Sequence, residues 1–286
     1  MYTRLRLDIA YDGTAFSGWK AQPKLRTVQG ELEKALAIIF SRSAQPPTLT
    51  VAGRTDAGVH ALGQVAHLDL SDEQLAVLRR RRGGVVEQNL PAALARRLNG
   101  IAGLESDVWV TRASLAPEGF DARFSAIWRR YEYRVADRDA PRNPLERHRT
   151  LWYPAPLDVG RMDAAAAGLL GLHNWAAYCK PREGATTIRT LEDFRWIRQP
   201  DSVLVASVRA DAFCHSMVRA LVGATIAVGA GKLEASDLIV VRDDLERTSD
   251  FKVVPAKGLT LMEVGYPHEA GLGDRALLTR RRRTTV

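Results

Sequence analysis

Cysteine is nearly missing from this 286-residue chain, which has only Cys179 and Cys214. Their separation of 35 positions matches no metal-ligand spacing, and two thiols make no disulfide framework. A reduced chain is therefore the expectation. Histidine is scarce too, with six copies. His60, His173 and His215 form no metal cluster by spacing, so they read as hydrogen-bonding residues and no metal is expected. No stretch approaches the roughly 18 consecutive apolar residues of a membrane span. The opening Met1-Tyr2-Thr3-Arg4-Leu5-Arg6 lacks the apolar core of a secretory signal. A cytoplasmic protein with no membrane partner is expected. Internal repeats and low-complexity segments are absent as well.

Acidic residues are outnumbered, 33 against 41 basic, for a net charge of +8 and a pI of about 9.8. Of the basic residues 34 are arginine, whose planar fork suits phosphate and stacks on bases. Composition bias accounts equally well for the arginine-to-lysine ratio, because Ala, Gly and Val are also abundant. It does not account for the net positive charge, which suits a polyanionic partner. The runs Arg79 to Arg82 and Arg280 to Arg283 are candidate phosphate contacts, and solvated, mobile charge explains them equally well.

The length allows one large domain or two modest ones. Tyr2 to Asp12 alternates as a strand and ends in a turn at Tyr11-Asp12-Gly13. Thr27 is a plausible N-cap, and Val28, Leu32, Leu36 and Ile39 share one helix face. Two strands follow, ending near Val51 and covering Gln64 to Leu70. A polar helical region spans about Glu73 to Gly100, and Asp107 to Ala113 reads as a strand. The order βαββαβ is that of a ferredoxin-like unit. In the second half, Ser125 to Ala136 is strand-like and Asp158 caps a helix running to Gly168. Thr187 to Ile197 and Ser202 to Ala210 pair around a turn at Arg198-Gln199-Pro200-Asp201. Phe213 to Val228 and Ala235 to Leu245 are helical, and Leu259 to Val264 is a last strand. The expected fold is α+β, with mainly antiparallel sheets in two ferredoxin-like domains, 1–117 and 118–286, divided near Pro117-Glu118-Gly119.

Between the strands ending at Val51 and starting at Gln64 lies Gly53-Arg54-Thr55-Asp56-Ala57-Gly58-Val59-His60. A short inter-strand loop is where a rigid scaffold displays chemistry. Gly53 and Gly58 allow backbone conformations closed to other residues. An isolated aspartate in such a loop is more often a turn residue. The full string, however, resembles without substitution the signature of the tRNA pseudouridine synthase A family. Phe120-Asp121-Ala122-Arg123-Phe124-Ser125-Ala126 followed by Arg129-Arg130-Tyr131-Glu132-Tyr133 looks like that family's second motif. Asp211-Ala212-Phe213-Cys214-His215-Ser216-Met217-Val218-Arg219 resembles a third. Leu172 to Trp175 with Thr186 to Arg189 is a looser match. The resemblance runs from Tyr11-Asp12-Gly13 to Gly258-Leu259.

The resemblance implies a cofactor-independent isomerase converting uridine to pseudouridine at positions 38, 39 and 40 of the tRNA anticodon stem-loop. Asp56 is then the catalytic carboxylate, with Gly53, Thr55, Gly58 and His60 as supporting motif residues. Arg54 contacts the flipped nucleotide's phosphate or fills the displaced base's place. Tyr131 packs on the target base, although Tyr133 shares its strand face and pattern alone does not choose between them. Arg219 keeps Asp56 ionised and oriented. Homodimers with a basic cleft between joined sheets, no cofactor and no DNA partner complete the expectation. A tRNA-binding protein without catalysis, and a synthase acting on another RNA, are the rival readings. Two departures from the family pattern stand out. Leu98 to Asp107 lacks the usual Leu-Pro-Pro-Asp, and Thr260 stands where a tyrosine is typical, so no role is carried onto Thr260.

Overall fold

Leu5, Leu7 and Ile9 are fully buried on strand β1 (Tyr2–Tyr11), as its alternation requires. The computed structural model describes residues 2–79, 87–182, 184 and 186–280. These divide into two units, one of residues 2–126 with 264–280 and one of residues 127–263. Of the two arginine runs, only Arg79 and Arg280 fall within the described residues.

In the first unit β1 is followed by α1 (Val28–Ile39), β2 (Thr50–Val51), β3 (His60–Ser71), α2 (Asp72–Arg79), α3 (Leu90–Ala102) and β4 (Val108–Leu115). Thr27 caps α1, its side chain accepting the Gly30 N–H at 3.2 Å. Val28, Leu32 and Leu36 put the apolar face of α1 into the core. The strand order is β4-β1-β3, with β2 on β3, and every pairing is antiparallel. The helical region expected over 73–100 is two helices, with residues 80–86 between them outside the described set.

The same unit takes in a helix that periodicity did not reveal, here termed α7 (Leu272–Arg280). Ser125 Oγ donates to Leu272 O at 3.0 Å, and the Tyr266 hydroxyl donates to Ala122 O at 2.7 Å. Arg280 pairs with Asp121 at 2.9 Å. Segment 120–125, the second motif, is thus fastened by residues far along the chain.

The second unit holds β5 (Trp128–Ala136), β6 (Leu151–Trp152), α4 (Val159–Ala167), β7 (Gly171–Asn174), β8 (Ile188–Arg198), β9 (Leu204–Ala210), α5 (Met217–Gly229), α6 (Ala235–Asp244) and all but the last two residues of β10 (Leu259–Gly265). Its strands lie in the order β10-β5-β9-β8-β7. β5, β9, β8 and β7 pair antiparallel, while β6 adds to β5 in parallel. Asp158 caps α4 by accepting the Arg161 N–H at 3.0 Å. Helix α5 is buried at nearly every position, which explains its continuous apolar sequence. It starts at Met217, four residues later than expected, because Ser216 is left-handed at φ 65° and ends the preceding loop.

One expectation is corrected. Cys179 and Cys214 are joined in a disulfide, with Cα atoms 5.8 Å apart. Sequence distance hid their proximity: Lys180 N–H donates to His215 O at 2.9 Å, aligning the two segments. The expected reduced chain instead carries one crosslink.

Candidate active site

The signature loop leaves β2 and enters β3, and both ends are tied by backbone. Ala52 N–H donates to Val65 O at 2.8 Å, and Val59 N–H closes a turn on Asp56 O at 3.2 Å. Gly58 adopts φ 77°, the left-handed backbone that the turn demands. Segment 12–19 runs alongside: Trp19 N–H donates to Thr55 O at 3.1 Å and Gly58 N–H to Phe16 O at 3.2 Å. Within this frame Arg54 is exposed, Thr55 buried and Asp56 half-buried. The carboxylate is therefore presented from a fixed backbone rather than from a free-swinging loop.

His60 is 6% exposed and supports the same frame. Its Nδ1 lies 3.1 Å from Gly13 N and 3.1 Å from Asp12 Oδ1. One nitrogen cannot serve both at once. The Gly13 N–H donates to that nitrogen, so His60 fastens the start of segment 12–19. Two side chains missed by sequence reasoning lie beneath the loop. The Tyr11 hydroxyl is 2.7 Å from Thr55 Oγ1, and Gln64 Nε2 donates to Tyr11 Oη and to Gly53 O at 3.2 and 2.9 Å.

Gly18 marks the tightest approach, with φ 92° and an added Cβ only 3.0 Å from Thr55 O. Gly18→Ala is expected to cost about 1–3 kcal/mol, the scale of a strained backbone, and to displace the Thr55–Asp56 peptide. Thermal melts beside single-turnover rates check this. A variant as stable and active as the parent would show that the cradle yields freely.

The remaining candidates lie in the second unit. Tyr131 and Tyr133 share the buried face of β5, at 8% and 0% exposure. Their environments distinguish them where periodicity could not. The Tyr133 hydroxyl donates to Pro255 O at 2.8 Å, and its ring packs against Gly258, where a Cβ would sit 2.6 Å away. Burial pushes the Tyr133 phenol well above its usual range, and the Arg219 charge offsets only part of that rise. Tyr133 is a core residue. Tyr131 instead meets Phe213 edge-on, with centroids 5.2 Å apart and rings at 88°. Phe213 belongs to the third motif and adjoins the disulfide-bonded Cys214.

Arg219 lies in the first turn of α5, half-buried, its Nε donating to Val254 O at 2.7 Å. That bond fixes the plane of the guanidinium. Thr260, the departure on β10, is buried at 8% exposure. Among the described residues no three His, Cys, Asp or Glu side chains gather as a metal site. No helix of the described chain is long and apolar enough to cross a membrane.

The first unit thus presents a loop-borne carboxylate, and the second holds a strand tyrosine packed on a phenylalanine and an arginine oriented by a backbone carbonyl. Residues 165–267 match the family described as tRNA pseudouridine synthase. Over 282 residues the chain is 65% identical to the tRNA pseudouridine synthase A of Leifsonia xyli subsp. xyli, covering 99% of this chain and 98% of that protein. It is 51% identical to the protein of that name from Streptomyces griseus subsp. griseus, covering 99% and 95%. With its namesake from Tropheryma whipplei strain Twist the identity is 43%, covering 99% of each. The chain belongs to the tRNA pseudouridine synthase A family.

Proposed function

We propose that this protein isomerises uridine to pseudouridine in tRNA, at positions 38, 39 and 40 of the anticodon stem-loop, with Asp56 as the catalytic carboxylate. The N1–C1′ bond of uridine breaks, the uracil turns, and C5 bonds to C1′. The C5 proton leaves and N1 gains one, so nothing is oxidised and no group is imported. One carboxylate acting as nucleophile or base starts this sequence. The observation that carries the reading is the half-buried Asp56 on a loop braced on both sides. Bracing holds the attacking oxygens where a flipped uridine must be met.

The other residues take matching roles. Exposed Arg54 manages the displaced nucleotide, and Tyr131, its ring set by Phe213, stacks on the target base. Arg219, its guanidinium plane fixed by Val254, takes the supporting cationic role that the family resemblance implies. The net charge of +8 recruits the phosphate backbone. Both units are read as ferredoxin-like, the protein as a cytoplasmic homodimer, and the reaction as independent of any cofactor.

The test is tritium release from tRNA transcripts labelled at C5 of uridine, with uridines at 38, 39 and 40 replaced by cytidine singly and together. Release that disappears with the triple replacement supports the reading. Release that persists moves the target elsewhere in tRNA. No release from any tRNA, despite tight binding, identifies a binding protein and ends the catalytic reading.

A further inference from the structure

Thr55, directly before Asp56, ends a buried polar chain that runs through Tyr11 to Gln64. Tyr11, the last residue of β1, is 5% exposed, and Gln64, within β3, is 0% exposed. The amide nitrogen of Gln64 can only donate, and its two bonds go to Tyr11 Oη at 3.2 Å and Gly53 O at 2.9 Å. Gln64 Oε1 accepts the Val65 N–H at 3.1 Å. Tyr11 Oη accepts from Gln64 and shares a hydrogen bond with Thr55 Oγ1 at 2.7 Å, which links the two hydroxyls in a buried setting. Burial pushes the Tyr11 phenol up to about 12, partly offset by its bonds to Thr55 and Gln64, so it stays neutral.

We infer that Tyr11 and Gln64 are positioning residues for Asp56, fixing the two residue positions on which its carboxylate turns. This rests on the reading of Asp56 as the catalytic group. Gln64 holds Gly53, three residues before Asp56, and Tyr11 holds Thr55, the residue directly before it. Trp19 N–H holds the Thr55 carbonyl from the opposite side. Tyr11 is itself set by edge-on Phe16 at 6.4 Å and by tilted Trp19 at 6.0 Å. Segment 12–19 and β3 thus meet at one hydroxyl. With that hydroxyl removed, the Thr55 side chain can rotate and the Asp56 carboxylate loses its bearing. A nucleophile displaced by about 1 Å loses on the order of 100-fold in rate.

The test measures single-turnover rate at saturating tRNA, tRNA affinity and melting temperature for Tyr11→Phe, Thr55→Val and the double variant. Tyr11→Phe keeps the ring and removes only the hydroxyl. Thr55→Val removes its partner hydroxyl at equal size and guards against a packing defect at Tyr11. Each single change is expected to slow the chemical step about 10- to 100-fold with KM unchanged, the signature of lost transition-state positioning. The double variant is expected to be no slower than the worse single one, because both remove the same link. Wild-type rates in both single variants would overturn the inference, as would a loss confined to KM or rate losses that multiply. Asp56→Ala assayed alongside separates the two claims. Activity in that variant refutes the catalytic reading, whereas an inactive Asp56→Ala with an undiminished Tyr11→Phe refutes only the positioning.

Discussion

Asp56→Ala is expected to abolish pseudouridine formation while leaving the fold and tRNA binding in place. The loss should reach about 10⁴-fold or more, the scale seen when one member of a catalytic constellation is removed. The stability change should be modest, about 1 kcal/mol. Asp56 takes part in the loop frame through its carbonyl, which accepts from Val59, and alanine keeps that carbonyl. The neighbouring Thr55 keeps its bonds to Trp19 and Tyr11 as well. Affinity for tRNA should hold or tighten slightly, since a negative charge leaves a surface that meets phosphate. Asp56→Asn separates shape from charge: it fills the same space and should be equally inactive. Tritium release and filter binding on the same preparations decide the matter. An Asp56→Asn enzyme with measurable turnover would point to a carboxylate elsewhere.

Asp137→Ala carries the largest expected cost in stability, about 3 kcal/mol. Its side chain has no exposure and receives both terminal nitrogens of Arg198, at 3.0 and 2.8 Å, as well as the Leu157 N–H at 3.0 Å. The pair ties the exit of β5 to the end of β8 and to the approach to α4. Removing the carboxylate strands Arg198, which keeps bonds to the Ser202 and Leu157 carbonyls and only the more remote charge of Asp139. The cost falls at the low end of values for broken buried pairs because Arg198 is 28% exposed and regains water. Asp137→Asn should lose less, since its oxygen still accepts. Urea unfolding of the three proteins at pH 7 measures the order.

The same carboxylate gives a pH signature. Burial pushes Asp137 up, but its Arg198 bonds, the Leu157 N–H and the Arg198 charge outweigh burial and hold it below the usual carboxylate range. A depressed folded value means that the stabilisation is complete above the unfolded pKa, about 3.9. It fades as the pH falls through the lower folded value. The gap between wild type and Asp137→Ala should therefore be wide at pH 6 and shrink below pH 4. A gap that is constant down to pH 3 would show that the lost term is packing rather than charge.

Much of the architecture was legible because local signals and burial agree. Thr27 and Asp158 cap helices where their side chains and the following apolar spacing said they would. The β8–β9 hairpin turns at 199–203, with Ser202 left-handed at φ 62°. What stayed hidden has a common cause. β6 and β7 are two and four residues long, too short for any period to register. Tyr133 and Tyr131 differ through contacts with Pro255, Gly258 and Phe213, all distant in sequence. Gln64 was passed over as the polar member of an alternating strand. In fact residues 64–68 of β3 are buried without a break, so alternation carries no information about sides there. A glutamine inside such a strand must find partners, and the loop it supports is where they lie.

The first unit is assembled from two stretches of chain, with residues 127–263 made between them. This has a consequence for synthesis at the ribosome. When residue 126 emerges, Ala122 O lacks the Tyr266 hydroxyl, Ser125 lacks Leu272, and Asp121 lacks Arg280. The unit therefore cannot close until more than a hundred further residues have been translated, whereas the unit between can fold on emergence. Domain-by-domain folding from the N-terminus, the usual order during translation, is reversed here. The second unit is the first able to be complete, and segment 120–125 gains its full support only once α7 has been made.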